Sequence, residues 1–389
     1  MGEINPEYYG LDRFDLLLNP IENFKIYAGR KDLIANLEKK IDKSFKTGSA
    51  MHTVLWGPYG TGKTHTLYYI ANYIERKGYS LKIIHITCPS LEDGSVIDLY
   101  QAIMFGIGKK TLYDIFQKIW NKAYAVFESK GAKTDIEKVE VIHSYVDHRD
   151  LAAVILYLQK PSTIEHYAWK WATGEKCSAK EKEELGVIKD NSDSKDAIKT
   201  LIKLIEIYMQ MFEKDGKKGL FILMLDELEN LQPLGEAFDF IELFRRLAEC
   251  REYFVMLLAY TAAAAEAVPV LNVGAVQQRL GYPDNYISID AFNQENAKNF
   301  ISELFRLLRP RGINLDKKLE EAKKVTNEIV VEKYYPFSEE AIDAIITNMF
   351  GKGVTLCPRT LEMAFTEAIG DALTQDKPPK IISTDILLL

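Results

Sequence analysis

The sequence predicts an α/β fold in three layers, with a parallel five-stranded β-sheet between helices, a helical insertion and a small α-helical domain after the sheet. Three observations predict this fold. Apolar segments of strand length alternate with helical segments, as in parallel sheets. The segment Leu220–Leu225 is apolar at every position, as expected for a strand that is covered on both faces. A glycine-rich loop joins the strand that ends at Trp56 to the helix that begins at Thr64.

The predicted elements follow from the spacing of apolar residues. Residues 1–29 are a lead-in with scattered aromatic side chains. Helical spacing predicts one helix over 30–45 and another over 64–75. Apolar segments predict strands at 52–56, 81–87, 220–225, 253–260 and 286–289, and the pattern near 236–249 is typical of a helix. Residues 30–292 are therefore expected to form the core domain.

Residues 108–218 interrupt this alternation. The stretch is rich in helix formers and holds three of the four tryptophans, Trp120, Trp169 and Trp171. It predicts a helical insertion with a small core of its own, which either packs on the sheet as extra helices or presents a surface to a protein partner. Residues 293–375 show helical spacing and predict a small helical domain, and residues 376–389 form a short tail.

Composition excludes several classes of protein. Of the 389 residues, 47% are hydrophobic and 27% are charged, which is typical of a globular protein. No apolar run reaches the ~18 residues of a membrane helix, and the first residues lack the layout of a signal peptide. The four scattered cysteines form no C-x-x-C pair, which argues against zinc or disulfides and favours a cytoplasmic location. Because the net charge is −7, nucleic-acid binding would need a local basic patch.

The glycine-rich loop matches the phosphate-binding pattern G-x-x-x-x-G-K-[ST]. Its residues are Gly57, Pro58, Tyr59, Gly60, Thr61, Gly62, Lys63 and Thr64. The glycines allow successive backbone N–H groups to face an anion, and the following helix adds the positive end of its dipole. Lys63 is expected to reach the β and γ phosphates of a nucleotide, and Thr64 is expected to ligate Mg²⁺. The alternative, a chance glycine turn, does not explain the strand before the loop and the helix after it.

A second candidate group follows the apolar segment 221–225. Asp226 and Glu227 come directly after this strand, at the sheet edge where α/β proteins bind ligands. Asp226 is expected to hold Mg²⁺, and Glu227 is expected to polarise the water that attacks the γ-phosphate. Acidic residues at a strand end are weak evidence for a nucleotide site when they occur alone, but the evidence is strong when a phosphate loop belongs to the same sheet.

These features together resemble the AAA+ ATPases, a class of P-loop NTPase, over residues 20–374. The resemblance is greatest to the initiator clade, which includes origin-recognition ATPases and related ATPases of transposition and phage defence. Tyr27–Asp32 is similar to the start of that clade's domain, which lies near the adenine. The stretch Trp169–Asn230 resembles BREX-type defence ATPases through Trp171–Gly174, Leu185–Gly186, Gly219–Leu220 and Leu225–Asn230.

The resemblance implies roles for further residues. Arg30 would lie near the bound nucleotide, and Thr261 would be a polar sensor of the attacking water, unless it is an ordinary turn residue. Arg279 matches the segment that carries an arginine finger, which reaches the γ-phosphate held by a neighbouring subunit. Arg245–Arg246 is the rival finger position, and a surface arginine is the plain alternative. Arg359 matches the arginine of the helical lid that senses the γ-phosphate in the same subunit.

We therefore expect a cytoplasmic ATPase that uses ATP and Mg²⁺ and forms a homo-oligomer, either a ring or a filament. It would act as a switch on double-stranded DNA with a partner enzyme, in prokaryotic defence or in mobile-element or replication processes. The alternative is a nucleotide-gated signalling scaffold that assembles with a protein effector without DNA. A remodelling chaperone is disfavoured because Leu91–Gly94 lacks an aromatic residue. The residues after 374 are too few for the winged-helix domain that cellular initiators carry, so direct readout of an origin is not expected.

Overall fold

The computed structural model describes residues 5–88, 95–159, 164–211, 218–231, 237–262 and 269–387. Its strands are β1 (Met51–Gly57), β2 (Ser80–Thr87), β3 (Leu220–Asp226), β4 (Phe254–Thr261) and β5 (Tyr286–Ser288). They form one sheet in the order β2-β3-β4-β1-β5. The predicted five-stranded parallel sheet is confirmed, and in the centre of its register Leu223 pairs with Ile84 on one side and Met256 on the other.

The helices of the described residues surround this sheet. They are α1 (Lys31–Thr47), α2 (Lys63–Arg76), α3 (Val96–Ile107), α4 (Lys109–Lys130), α5 (Asp135–Val146), α6 (Arg149–Tyr157), α7 (Ile164–Ala172), α8 (Ala179–Leu185), α9 (Ser194–Met211), α10 (Ala237–Leu247), α11 (Gly274–Leu280), α12 (Gln294–Leu307), α13 (Leu315–Lys323), α14 (Glu339–Gly351) and α15 (Pro358–Leu373). None of these helices is long and apolar enough to cross a membrane. Leu91–Gly94, the segment that weighed against a chaperone, lies outside the described residues.

The chain divides into two compact units. The first comprises Met1–Lys39, Gly57–Tyr73 and Ser288–Leu389, and the second comprises Lys40–Trp56 and Ile74–Ile287. The first unit therefore holds the phosphate loop and α12–α15. The second holds the sheet, apart from the last residues of β1 and β5, together with α3–α11.

One hydrophobic core runs through the second unit from the sheet into α3–α9. All seven residues of β3 are buried, as the apolar segment predicts, and the ring of Phe221 stacks on Phe254 with centroids 6.0 Å apart. Helix α3 contacts β2, and α9 contacts β3. The expectation that the insertion has a separate small core is therefore wrong, because α9 packs on β3 and the buried side chains of α4–α9 belong to the same core as those of the sheet.

A buried polar network links α3 to three segments of the insertion. The Asn191 amide donates to the Tyr100 hydroxyl at 2.7 Å, and the Thr200 hydroxyl donates to the Asn191 side-chain oxygen at 3.0 Å. The Thr200 hydroxyl also lies 3.2 Å from Nε2 of His148. Burial lowers the pKa of His148, so the imidazole is kept neutral. Such a network is stable only when each buried polar group has a partner.

The first unit has its own core between α12, α14, α15 and the lead-in. Phe305, Phe337 and Phe365 form its centre, with ring centroids 5.2–6.1 Å apart. The lead-in contributes buried side chains to the same core, including Tyr9 and Leu16. The backbone N–H of Leu16 also donates to the hydroxyl of Thr366 on α15 at 2.9 Å. The lead-in is thus an integral part of the unit that contains the helical domain.

Candidate active site

The phosphate loop in the first unit curls around the side chain of Lys63. The Lys63 ammonium, which is 7% exposed, donates hydrogen bonds to the carbonyl oxygens of Gly57 and Pro58, both at 2.9 Å. Gly60 and Gly62 have φ angles of 78° and 97°, in the left-handed region that favours glycine. This curl, followed by the first turn of α2, is the geometry that binds phosphate.

Gly57 and Thr61 constrain the two sides of the loop. Gly57 has a φ of 152°, and a Cβ atom built on it would lie 2.3 Å from the carbonyl oxygen of Ile289, so a larger residue does not fit. The buried Thr61 hydroxyl donates to the carbonyl of Pro58 at 2.9 Å. Thr64 is the second residue of α2 and is half-buried. Its hydroxyl is a hard oxygen donor of the type that Mg²⁺ accepts.

Arg30 and Tyr27 lie beside α12 and α2 within the same unit. The Arg30 guanidinium donates to the carbonyl of Asp290 at 2.6 Å and lies 4.5 Å from the centre of the Phe292 ring. The Tyr27 hydroxyl lies 2.9 Å from the hydroxyl of Thr66 on α2. Burial raises the pKa of Tyr27 to about 12, so it remains a neutral hydroxyl. The sequence places both residues in the segment Tyr27–Asp32 that is expected near the adenine, but the pairing of Tyr27 with α2 has no local signal.

The structure brings Arg359 to the phosphate loop. Arg359 lies in the first turn of α15, and its guanidinium donates to the Tyr59 hydroxyl at 2.8 Å. The loop lies close to the start of the helix. A Cβ atom built on Gly60 would lie only 2.9 Å from the sulfur of Cys357. The predicted lid arginine and the predicted phosphate loop therefore share one surface of the first unit.

Glu362 is a buried acid that sequence analysis missed. It lies one turn beyond Arg359 on α15, is 5% exposed, and accepts a hydrogen bond from the backbone N–H of Leu18 at 3.2 Å. Burial raises the pKa of Glu362 to about 8, so the carboxyl group is largely protonated at pH 7. It therefore does not neutralise the nearby Arg359. A glutamate on an amphipathic helix ordinarily indicates the solvent face, which explains why the pattern gave no signal.

In the second unit, β3 ends in the predicted acidic pair. Asp226 is 2% exposed, and its carboxylate accepts a hydrogen bond from the Glu227 backbone N–H at 2.9 Å. Glu227 has a φ of 56°, which is unusual for a residue with a side chain and costs on the order of 1–3 kcal/mol. The chain turns sharply there, and the Glu227 side chain is exposed. The Asn230 amide lies 3.3 Å from the Glu227 carboxylate and donates to the carbonyl of Cys88 at 2.9 Å.

Thr261, the predicted sensor, is the last residue of β4. Its backbone N–H donates to the carboxylate of Glu229 at 2.8 Å. Because Glu229 follows the acidic pair by two residues, this hydrogen bond joins the end of β4 to the turn after β3. Glu229 and Asn230 are functional candidates that sequence analysis did not single out, although both belong to the motif Leu225–Asn230 that carried the resemblance.

The candidate arginine fingers, Arg279 and the rival pair Arg245–Arg246, share the carboxylate partner Glu249 in the second unit. Arg279 lies on α11, and its Nε donates to Glu249 at 3.0 Å while Nη1 donates to the carbonyl of Ala275 at 2.8 Å. Arg245 forms a fork with Glu242 at 2.6 and 2.7 Å and a further bond to Glu249 at 2.7 Å. Arg245 is thus held by carboxylates on two sides, whereas Arg279 has a single ion pair.

The donor set suits magnesium rather than zinc. Asp226 offers a buried carboxylate oxygen, which is the ligand type that Mg²⁺ prefers. Within the described part of the chain, no group of three or more histidine, cysteine or acidic side chains is arranged to hold a metal ion by itself. A cation at Asp226 would therefore need further oxygen ligands of other kinds, such as hydroxyl or phosphate oxygens, as nucleotide-bound Mg²⁺ has.

Two solved structures resemble the chain at low sequence identity. The ORC1 protein of Aeropyrum pernix in complex with DNA is 10% identical over 96% of this chain and 67% of that one, with a TM-score of 0.49. The ORC2 protein of Aeropyrum pernix in ADPNP-ADP complexes is 11% identical over 89% of this chain and 69% of that one, with a TM-score of 0.40.

No curated protein sequence matches the chain. A family model, however, matches residues 23–239, which include the phosphate loop and the acidic pair. The predicted BREX relation is thereby confirmed, and the chain is an ATP-binding protein of the BREX type. Because the match covers more than half of the chain, the protein belongs to the family of BREX system ATP-binding proteins BrxC/D.

Proposed function

We propose that this BREX-type protein hydrolyses ATP with Mg²⁺, and that its nucleotide state switches an oligomer that acts on double-stranded DNA with a partner enzyme. The observation that carries the proposal is the curled phosphate loop around Lys63. An exposed Glu227 directly after a buried Asp226 supports hydrolysis in addition to binding, because an accessible carboxylate can accept a proton from the attacking water.

The residues of the loop would bind the triphosphate. Backbone N–H groups of 57–64 and the first turn of α2 would donate to phosphate oxygens. The Lys63 ammonium, which is held on loop carbonyls, would exchange those bonds for stronger charge-assisted bonds to the β and γ phosphates. Arg30 would flank the adenine.

Bound Mg²⁺ would neutralise charge on the phosphates and polarise the bond to be broken. Asp226 would hold the ion through its buried carboxylate, and Thr64 would do so through its hydroxyl. Glu227 would orient the attacking water and accept its proton. The left-handed backbone at Glu227 supports this role, since strained conformations cluster at functional sites.

The remaining candidates would act at the γ-phosphate of the bound ATP. Thr261 would help to position the attacking water, and Arg359 would contact the phosphate within the same subunit. Arg279 would act on the nucleotide of a neighbouring subunit, which would make the oligomer the active form. The single ion pair of Arg279 supports its choice over Arg245, whose three hydrogen bonds to two carboxylates would have to be broken.

The wider role rests on family membership. We propose a cytoplasmic ATPase in phage defence that loads on duplex DNA and licenses a partner enzyme, with the insertion at 108–218, which holds α4–α9, as the partner surface. Because the net charge is −7, DNA contacts would be local.

ATP hydrolysis measured with and without duplex DNA, and DNA binding across a salt series, test this role. Phosphate contacts make affinity fall steeply with salt. Hydrolysis without any DNA binding would favour the signalling scaffold.

A first experiment tests the chemistry. Lys63→Ala is expected to abolish ATP binding, whereas Glu227→Gln is expected to retain binding and to lose hydrolysis by about 10²-fold or more. Isothermal titration and phosphate release measure the two quantities. Full hydrolysis by both variants would contradict the proposal.

A second experiment tests catalysis between subunits. Arg279→Ala and Glu227→Gln are each expected to be inactive alone, but a mixture would regain activity where an intact Glu227 meets the Arg279 of its neighbour. Light scattering with ATP reports the assembly, and Arg251→Ala, a change at an exposed arginine, is the control. No recovery on mixing, together with normal activity of Arg279→Ala, would contradict a finger in trans.

A further inference from the structure

Tyr59 is a large aromatic side chain at the surface of the phosphate loop. It is 67% exposed, so its ring contributes little to the hydrophobic core. Its described partner is Arg359, whose Nη1 donates to the hydroxyl at 2.8 Å and whose guanidinium carbon lies 5.3 Å from the ring centre. That distance is within the range of a cation–π interaction. One residue of the loop therefore holds the arginine in two ways.

The backbone geometry fixes this pairing. Gly60, the next residue, has a φ of 78°, and a Cβ atom built there would lie 2.9 Å from the Cys357 sulfur and 3.3 Å from the Cβ of Arg359. The loop can therefore lie against the start of α15 only because residue 60 is glycine. This close approach leaves the Tyr59 ring and the Arg359 guanidinium side by side.

The described partner of Arg359 is a neutral group, the hydroxyl and ring of Tyr59. Arg245 and Arg279 are both paired with carboxylates. Among the described residues, no carboxylate lies within ion-pair distance of Arg359, and its position in the first turn of α15 is unfavourable for a cation because of the helix dipole. A hydroxyl and a ring face orient the guanidinium without neutralising it, so its charge stays available to an anion.

We propose that Tyr59 is a positioning residue for Arg359, holding the guanidinium against the phosphate loop so that it binds the terminal phosphate of ATP. This inference rests on the proposed ATP site. The Tyr59 hydroxyl orients the guanidinium through a hydrogen bond, and the Tyr59 ring provides a flat surface against which the guanidinium packs. Tyr59 thereby couples the loop to α15, and the coupling favours triphosphate over diphosphate because only ATP has the phosphate that Arg359 would contact.

The test is a double-mutant cycle read with two nucleotides. Tyr59→Phe, which removes only the hydroxyl, is expected to weaken binding of ATPγS about 3- to 10-fold, the effect of one lost hydrogen bond at an exposed position, and to leave ADP binding nearly unchanged. In an Arg359→Ala background the same change is expected to have no further effect. Tyr124→Phe, at an exposed tyrosine of the insertion, is the control, and thermal melting verifies that each variant is folded.

The outcomes separate this inference from the proposed function. Equal weakening of ATPγS and ADP, an undiminished loss in the Arg359→Ala background, or no effect of Tyr59→Phe would overturn the role of Tyr59 while leaving the ATP site intact. Failure of the unaltered protein to bind either nucleotide would overturn both proposals. Tyr59→Ala, which also removes the ring, is expected to weaken ATPγS binding further than Tyr59→Phe.

Discussion

The backbone N–H of Thr261 donates a hydrogen bond to the side chain of Glu229, and so joins the end of β4 to the turn after β3. The bond matters because Asp226 and Glu227 lie in that same turn. A carboxylate that accepts from a backbone N–H is a strong, charge-assisted partner. Glu229 is therefore placed to hold the proposed water sensor, Thr261, at a fixed position relative to the proposed base, Glu227, within the second unit.

Removal of the Glu229 carboxylate is the first prediction. Glu229→Ala is expected to leave the Thr261 N–H without its acceptor and to lower the free energy of unfolding by about 1–3 kcal/mol. ATP hydrolysis should fall more than ATP binding. Glu229→Gln, which keeps an acceptor oxygen, should recover most of both losses, and Glu252→Ala, at an exposed glutamate, should change neither. Equal hydrolysis by Glu229→Ala and the unaltered protein would show that the bond has no catalytic role.

The second prediction concerns Gly57. Gly57→Ala is expected to push the loop away from Ile289, because the added Cβ atom would lie 2.3 Å from a carbonyl oxygen. Nucleotide affinity should fall at least 10-fold, about 1.4 kcal/mol or more. Gly78→Ala is the control for a side chain added at a glycine with positive φ, since Gly78 has a φ of 68° and its Cβ atom would meet open space. Equal nucleotide affinity of the two variants would contradict the steric argument.

Much of the fold could be predicted from local patterns. The apolar segment at 220–225 predicted β3, which spans Leu220–Asp226, and the strand before the phosphate motif predicted β1. Both patterns are strong because a central parallel strand is buried on two faces and must be apolar throughout. The small separate core of the insertion was predicted wrongly, since apolar helix faces do not reveal which surface they contact.

The residues of the candidate site could be predicted from the sequence only where they lie together in one short segment. The phosphate loop and the acidic pair are contiguous motifs, so their residues could be named from spacing. Tyr27, Glu362 and the pairing of Tyr59 with Arg359 depend on contacts between residues far apart in the chain, and no periodicity encodes such contacts. The choice between Arg245 and Arg279 likewise needed their carboxylate partners to be seen.

The third prediction tests the polar network of the insertion. Thr200→Val should leave the side-chain oxygen of Asn191 without the hydroxyl that donates to it at 3.0 Å. Because the group is buried, the free energy of unfolding should fall by about 1–3 kcal/mol in urea denaturation. Thr200→Ser keeps the hydroxyl and should lose much less. Similar losses in the two variants would point to packing rather than hydrogen bonding as the role of Thr200.

The fourth prediction follows from the buried carboxyl group of Glu362. Its pKa is raised by burial and by Asp15, and is lowered by the hydrogen bond from Leu18 and by Arg359, with a net value of about 8. In the unfolded chain the pKa would return to about 4.5, so the folded state binds more protons between these two values. The contribution of Glu362 to stability is therefore complete below pH 4.5, declines as the pH rises, and is lost above pH 8.

Glu362→Gln should remove this pH dependence while keeping an acceptor for the Leu18 N–H. The variant should match the unaltered protein near pH 5 and become more stable than it near pH 8.5, by an amount on the order of 3 kcal/mol. Melting temperatures across that pH range measure the difference, and Glu367→Gln, at an exposed position of the same helix, should leave the profile unchanged. Parallel profiles for Glu362→Gln and the unaltered protein would mean that Glu362 is ionised in the folded state, and Arg359 would then have a charged neighbour at pH 7.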